Sequence, residues 1–275
     1  MTFDDSTQHV PHQRSLVTVG GVIDISLYGP PRVTDLRRRL VLREFQGVKP
    51  RQVLYLLALN EGRPLPKEQL ADLMWDGQPP RSWCSTLEGY VSLLRHALQA
   101  GVPARDSVVQ TRSGSYLLDP DLVQVDVDRF SQLTREAAVQ PPRRALETLH
   151  AALGLVRGEI LEGERCASWV LDARSRWLQR SQRAAIEAGK LSMLLGDPAS
   201  AVDFGQYACD LDPLAEDAWA LMIEGFWLTD RRSDALRSYS RLRVLLDREL
   251  GIGPRQALQR LYLAMLSDNE MSVPA

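Results

Sequence analysis

Between Pro80 and Ala100 the chain reads PRSWCSTLEGYVSLLRHALQA, and its polar groups are spaced for recognition rather than for breaking bonds. Leu87, Val91, Leu94 and Leu98 recur at i, i+4, i+7 and i+11, one stripe of a helix, which fixes the buried face. Ser85, Gly89, Ser92 and His96 then share the opposite face, with Leu93 beside them. Ser85 and Thr86, at the start of this helix, can donate hydroxyls to phosphates, and the helix N-terminus adds its own N–H groups. Gly89 would let the backbone approach a groove floor, and Ser92 and His96 can bond base edges or phosphates. Leu93 could only pack on a thymine methyl. Tyr90 and Arg95 flank this face and suit bracing the fold as well as touching a nucleic acid. Arg112 lies in a later turn, where it either reaches a minor groove or is an ordinary exposed turn residue. Arg81 and Lys49, near helix ends, are weaker candidates for phosphate contact. A plain amphipathic core helix is the competing reading of the stretch taken alone.

Catalytic signatures are missing from the sequence. It contains no HExxH, no GxSxG, no GxxxxGK followed by Ser or Thr, and no GxGxxG after a strand. Hydrolase, NTPase and dinucleotide readings therefore lack their minimal motifs, and the expectation is that the chain is not an enzyme and takes no cofactor or metal. Cys84, Cys166 and Cys209 are odd in number, far apart and without a CxxC pair, and read as reduced thiols packed as small hydrophobes. His9 and His12 fall in a polar N-terminal tail, and His150 in a helix as a packing or surface residue. Glu216 and Asp217 open a helix, where acids complement its dipole. Residues 1–120 carry 14 Lys+Arg against 12 Asp+Glu, and residues 121–275 carry 19 against 23, consistent with the net charge of −2. The slight basic excess of the first part only mildly favours DNA.

The elements that would position this helix can be read on either side of it. Residues 1–19 have no periodicity and read as a disordered tail. From Val22 the pattern has period two, Ile23, Ile25 and Leu27 alternating with Asp24 and Ser26. Gly29-Pro30-Pro31 makes a turn, and Arg39 to Phe45 reads as a further β run, with Arg37-Arg38-Arg39 a solvated hairpin; together they predict a small antiparallel sheet. One helix is predicted from Pro50 to Asn60, a second from Pro66 to Trp75, and a third from Trp83. Val108–Thr111 and Tyr116–Leu118, either side of Arg112-Ser113-Gly114-Ser115, predict a terminal hairpin. Sheet, three helices and hairpin make a winged helix-turn-helix over residues 20–120, whose third helix such folds place in the DNA major groove.

Past Pro120 the β signals stop. Asp126 or Asp128 is placed to cap the next helix. The text is helical to Leu266, with breaks at Pro141-Pro142, Gly158 to Gly163, Gly196-Asp197-Pro198, Asp212-Pro213, Asp230 and Gly251 to Pro254. An offset of 34 pairs Leu194 with Leu228, Ala201 with Ala235, Val202 with Leu236, Ala208 with Leu242 and Leu211 with Leu245. That is the tetratricopeptide period, in which small residues let stacked helices approach. Trp219, Met222 and Phe226 follow helical spacing and read as core. The expected fold is mainly α with a small β part: a winged helix-turn-helix, then an all-α tetratricopeptide-like domain over 121–268, then a disordered tail over 269–275. No apolar run is long enough for a membrane helix and no secretion signal is visible, so a cytoplasmic address is expected.

Leu73-Met74-Trp75 before the double proline, followed by Thr86-Leu87-Glu88-Gly89-Tyr90-Val91-Ser92-Leu93-Leu94-Arg95, closely resembles the winged helix of the Streptomyces antibiotic regulatory protein family. Its DNA-binding half is similar to that of OmpR/PhoB-like response regulators. Arg248-Glu249-Leu250-Gly251-Ile252-Gly253-Pro254 with Ala257-Leu258 resembles the end of the same family's bacterial transcriptional activation domain. The resemblance runs over residues 20 to 268. Leu93 stands where the family usually has Arg or Lys, Glu88 where it often has an amide, and Ser115 intervenes between Gly114 and Tyr116. The resemblance implies an activator of a secondary-metabolite gene cluster that binds direct repeats in double-stranded promoter DNA near the −35 element. It would act as a homodimer on DNA and recruit RNA polymerase holoenzyme. The family's larger members add an ATPase or phosphopeptide-binding domain, and neither is expected in a sequence of this length. Two alternatives remain open at this point: a protein-interaction scaffold whose winged helix no longer binds DNA, and a repressor.

Overall fold

The computed structural model describes residues 23–35, 47–99, 101–164 and 167–267. The expected tails, His9, His12, the Arg37-Arg38-Arg39 run, the β run from Arg39 to Phe45 and Cys166 lie outside these residues. Strand β1 (Ile23–Ser26) follows the period-two pattern over Ile23, Asp24 and Ile25, buried, exposed and buried in turn, but Ser26, expected on the exposed face, is buried too. It pairs antiparallel with β2 (Arg32–Asp35), Ile25 opposite Val33, across a turn that Gly29 enters at φ 79°.

Helix α1 (Val48–Leu59) begins two residues ahead of the expected Pro50, which falls instead in its first turn. The helix is buried on nearly every side, because the rest of the winged helix and the second half of the chain both pack on it. Strand β3 (Leu65–Pro66), α2 (Lys67–Met74) and α3 (Trp83–Leu98) follow, then β4 (Val109–Arg112) and β5 (Ser115–Leu118). These strands form a second sheet in the order β3-β5-β4. Ser113 and Gly114 join β4 to β5 with φ values of 44° and 77°. Two successive positive φ values match the right-handed twist of the strands they connect, so the hairpin closes tightly.

The β signals do not end at Pro120. Val123–Val125 forms a sixth strand, β6, which pairs parallel to β1 and completes a sheet in the order β2-β1-β6. Three residues are too few to show a period; the strand exists because β1 offers an edge and Val123 and Val125 are buried against the core. Helix α4 (Asp126–Ala137) follows at once, and neither Asp126 nor Asp128 caps it: its N-cap is Val125, without a side-chain bond. Asp126 instead accepts hydrogen bonds from the backbone N–H of Leu27 (2.9 Å) and Tyr28 (3.0 Å), at the end of β1, and from Val127 (2.8 Å). Burial raises its carboxyl above the usual carboxylate range despite these donors.

The helices α5 (Pro142–Leu153), α6 (Ser168–Leu194), α7 (Pro198–Leu211), α8 (Glu216–Leu228), α9 (Arg232–Leu250) and α10 (Gln256–Ser267) break at the expected Pro and Gly positions. Ala201 and Ala235, 34 residues apart, are both fully buried, as are Ala208 and Leu242. Helices α7 and α8 approach so closely that a Cβ on Gly225 would lie 2.7 Å from the Pro198 carbonyl oxygen. Trp219 and Met222 are core residues, and the Trp219 indole N–H donates to Pro213 O at 2.8 Å.

Cys209 is buried, and burial pushes its thiol up to about 12. Cys84 corrects the expectation of packed thiols: it is exposed on the first turn of α3, because the stripe that faces the core starts at Leu87.

One hydrophobic cluster runs from β1 and α1 through α3 and α4 to Trp177 and Ala188 of α6. Tyr28, Phe130 and Trp177 meet inside it with ring centroids 5.9 to 6.0 Å apart. Polar ties cross the same junction: Arg51 pairs with Glu164 at 2.9 Å, Arg180 with Glu61 at 2.9 Å, and the Ser168 hydroxyl bonds Asp76. Asp128 sits beside this junction with Oδ1 buried and, among the described residues, unbonded. Burial, then the charges of Glu61 and Asp126, raise its carboxyl to about 7, against the smaller pull of Arg135 and Arg63.

A raised carboxyl favours the folded state below the unfolded value and loses that contribution as pH climbs through about 7. Asp128→Asn is therefore expected to raise Tm by roughly 2 to 4 °C near pH 8. The gain should shrink steadily as pH falls from about 7 towards about 3, below both the folded and the ordinary carboxylate values, where the carboxyl is neutral in both states. Differential scanning calorimetry across that range checks it; a gain that does not vary with pH would assign the effect to packing.

Candidate nucleic-acid interface

Helix α3 buries Leu87, Val91, Leu94 and Leu98 and exposes Ser85, Gly89, Ser92, Leu93 and His96, so one helix carries a core face and a solvent face of the predicted composition. Leu93, at 45% exposure, is a large apolar side chain facing water in the middle of that row. Nothing lies within 4 Å of where a Gly89 Cβ would be, so the helix surface is open there. At the N-terminal end, Ser85 Oγ and Thr86 Oγ1 both donate to Ser82 O, at 3.0 and 2.9 Å. Their oxygens stay available as acceptors, and a phosphate would draw either hydrogen away by a rotation about χ1. Ser82, the N-cap, makes no side-chain cap, so the first-turn N–H groups of α3 have no such partner.

Several of the predicted residues hold the face in place. Arg95 donates through Nε to Val109 O (2.9 Å) and through Nη2 to Thr111 Oγ1 (2.8 Å), fastening α3 to β4 and setting the hairpin beside the helix. Tyr90 stacks on Trp75, centroids 6.4 Å apart. Lys49 Nζ donates to Met74 O at 2.8 Å, closing the C-terminal end of α2. Arg81 is exposed in the turn before α3. Arg112, exposed at the end of β4, donates twice to Gln110 Oε1, at 2.9 and 2.6 Å. Ser85, Gly89, Ser92, Leu93 and His96 thus form one surface, Arg112 stands on the neighbouring hairpin, and Lys49, Tyr90 and Arg95 lie in the supporting layer.

Lys67 belongs to this region without any sign of it in the sequence. It opens α2, bonds Glu88 Oε1 at 2.7 Å and lies 5.3 Å from the Tyr116 ring centroid. That bond holds the Glu88 carboxyl below the usual range and raises the Lys67 ammonium. Glu88 is therefore a tie from α3 to α2, 21 residues away, not an isolated negative charge on the solvent face of α3. Gln110 and Thr111, which orient Arg112 and Arg95, were equally invisible, since only the fold of the hairpin brings them together.

Residues 47–118 match the model of the C-terminal domain of transcriptional regulatory proteins, and residues 125–266 match the bacterial transcriptional activator domain. The second match alone covers more than half of the chain. The chain belongs to the Streptomyces antibiotic regulatory protein family. Within that family it is 31% identical to the transcriptional regulator RedD of Streptomyces coelicolor, over 98% of this chain and 77% of RedD. It is 33% identical to the regulatory protein DnrI of Streptomyces peucetius, over 79% of this chain and 84% of DnrI. A solved structure of Mycobacterium tuberculosis EmbR, in complex with a low-affinity phosphopeptide, superposes with a TM-score of 0.75 at 27% identity. That likeness covers 90% of this chain and 66% of the EmbR chain. The family is one of transcriptional regulators, not of enzymes. Among the described residues no helix is long and apolar enough to cross a membrane.

Proposed function

We propose that this chain activates transcription by binding direct repeats in promoter DNA through α3 and the β4–β5 hairpin. Residues 20–120 form the DNA-binding part and residues 121–268 the part that contacts RNA polymerase holoenzyme and a second copy on the DNA. The regulated genes are those of a secondary-metabolite cluster and the site of action is the cytoplasm. The observation that carries the reading is the exposed row Ser85, Gly89, Ser92, Leu93 and His96, opposite the buried stripe of α3 and beside the hairpin that Arg95 fixes. Side chains of that size admit a helix to a major groove, with Arg112 placed to reach the flanking minor groove. Polymerase contacts worth about 1 to 3 kcal/mol would raise promoter occupancy roughly 5- to 150-fold, without any chemical step. A scaffold without DNA binding would have drawn support from a free Glu88 on this face, and Glu88 is engaged with Lys67.

Fluorescence anisotropy of the full chain on a promoter fragment and on scrambled DNA, across a salt series, tests the reading. Preference for the promoter by a factor of roughly a thousand or more, with a log-log salt slope reporting several phosphates, is expected. Equal binding to both DNAs at low salt would defeat it. Leu93→Arg discriminates further. Because Leu93 is exposed, its replacement leaves the fold intact; a DNA reader then changes base preference, and its salt slope steepens by about one if the arginine meets a phosphate. A scaffold would show neither change.

A further inference from the structure

Three polar side chains form a bonded row along one face of the β4–β5 hairpin. Gln110 and Arg112 are two residues apart on β4 and so share a face. Gln110 stands opposite Leu117, which makes Asp119, two residues further on, its diagonal neighbour across the hairpin. Gln110 Nε2 donates to Asp119 Oδ2, and Gln110 Oε1 accepts from Arg112 Nε (2.9 Å) and Nη2 (2.6 Å). Asp119 is itself fixed, because its Oδ1 accepts from Asp121 N at 3.0 Å and its own N–H donates to Val108 O at 2.8 Å. Gln110 and Asp119 are half-buried, whereas Arg112 is exposed.

Asp119 gives this row its direction. An amide carries an acceptor and a donor side by side, and a half-turn exchanges them. A carboxylate only accepts, so Asp119 draws the NH₂ of Gln110 to itself and leaves Oε1 for Arg112. With the amide turned round, its NH₂ would meet the guanidinium donor to donor. A guanidinium is planar and presents its donors at fixed angles. Held by one oxygen at Nε and Nη2, that of Arg112 turns the edge bearing Nη1 away from Gln110, and Nη1 has no hydrogen-bond partner among the described residues. The minor groove offers acceptors at every base pair, and A·T tracts narrow it and deepen its negative potential, which attracts an inserted arginine. We propose that Asp119 and Gln110 are positioning residues that hold the Arg112 guanidinium ready for the minor groove, and that through it they set a preference for A·T-rich sequence beside the site read by α3. The inference rests on the proposed DNA reading of α3 and the hairpin. Asp119 contributes the order it imposes on Arg112, while its charge by itself opposes a polyanion.

That opposition gives the test a sign: removing a carboxylate strengthens DNA binding through charge alone, whereas removing a positioning residue weakens it. Anisotropy of the full chain is measured on two versions of the promoter fragment, with the base pairs flanking each repeat all A·T or all G·C. Asp119→Ala is expected to lose roughly 2- to 12-fold in affinity on the A·T version, the effect of one arginine left unordered, and with it the preference for that version. Gln110→Ala should do the same at an unchanged salt slope, since it removes no charge, and it serves if Asp119→Ala, which also frees the Asp121 N–H, fails to fold. In an Arg112→Ala background neither substitution should change DNA binding further, a coupling that a merely structural role would not produce. The free chain supplies a readout without DNA: in proton–nitrogen correlation spectra the Arg112 Nε–H should be protected from exchange with water, and should lose that protection in either variant. Tighter or unchanged binding in both variants, while Arg112→Ala still weakens it, overturns the positioning role and leaves the DNA reading standing. If Arg112→Ala changes binding to neither DNA while the Nε–H of the unmutated chain is protected, the hairpin does not enter the groove, and the proposal falls with that part of the DNA reading.

Discussion

Asp126→Ala is expected to lower the stability of the full chain by about 3 to 5 kcal/mol, because it strands three buried backbone donors. Leu27 and Tyr28 are both buried, and each N–H points at the Asp126 carboxylate, as does that of Val127. An orphaned buried donor costs roughly 1 to 3 kcal/mol, and relief from burying the carboxylate itself offsets part of the sum. Urea unfolding should show the midpoint falling by about 1 to 2 M at the slope expected for a chain of this size. The effect is large because the carboxylate ties β1 to the start of α4, so its loss loosens the place where the two parts of the chain share one core. Asp126→Asn should fall between, since one oxygen remains to accept while its NH₂ faces a donor. A change below about 1 kcal/mol in the alanine variant would mean that those N–H groups find other partners and that Asp126 is not the tie.

The contrast between Asp126 and Leu87 shows what a sequence of this kind can and cannot disclose. Leu87, Val91, Leu94 and Leu98 announce their burial because a helix repeats every 3.6 residues and burial imposes that repeat locally. The breaks at Pro141, Gly196, Pro213 and Gly251 are legible for the same reason: each acts on its own backbone. The exposed row of α3 is legible as the complement of the stripe. Asp126, by contrast, works on residues 99 and 98 positions earlier, and no local pattern encodes that distance. Helix capping was the local role an aspartate before a helix suggests, and a tertiary contact displaced it. Strand β6 was missed because a parallel pairing of three residues depends on its partner, not on its own period. Arg95, which suits bracing and DNA contact equally in the sequence, is committed by the structure to Val109 and Thr111 through a hairpin 14 to 16 residues away.

Gly89→Leu should move fold stability and DNA affinity in opposite directions, and this separates a groove-facing glycine from one the fold requires. Glycine inside a helix is worse than leucine by roughly 0.5 to 1 kcal/mol, and Gly89 sits mid-helix at a position without a positive φ and with nothing within 4 Å of an added Cβ. The free chain should therefore become slightly more stable, with a Tm raised by a degree or two. If this face of α3 enters the groove, as proposed, the same side chain would project from the centre of the row formed by Ser85, Ser92 and His96, where that reading brings the backbone nearest to the bases. Overpacking a fitted surface costs about 1 to 3 kcal/mol, which is a loss of roughly 5- to 150-fold in affinity. Because the added group is uncharged, the salt slope should stay as it was while the affinity drops, which distinguishes a steric effect at the groove floor from a lost phosphate contact. Anisotropy titrations and calorimetry on the same preparation supply both numbers. If stability rises and promoter affinity is untouched, the exposed face of α3 does not enter the groove, and the DNA-reading role must be sought on another surface of the winged helix.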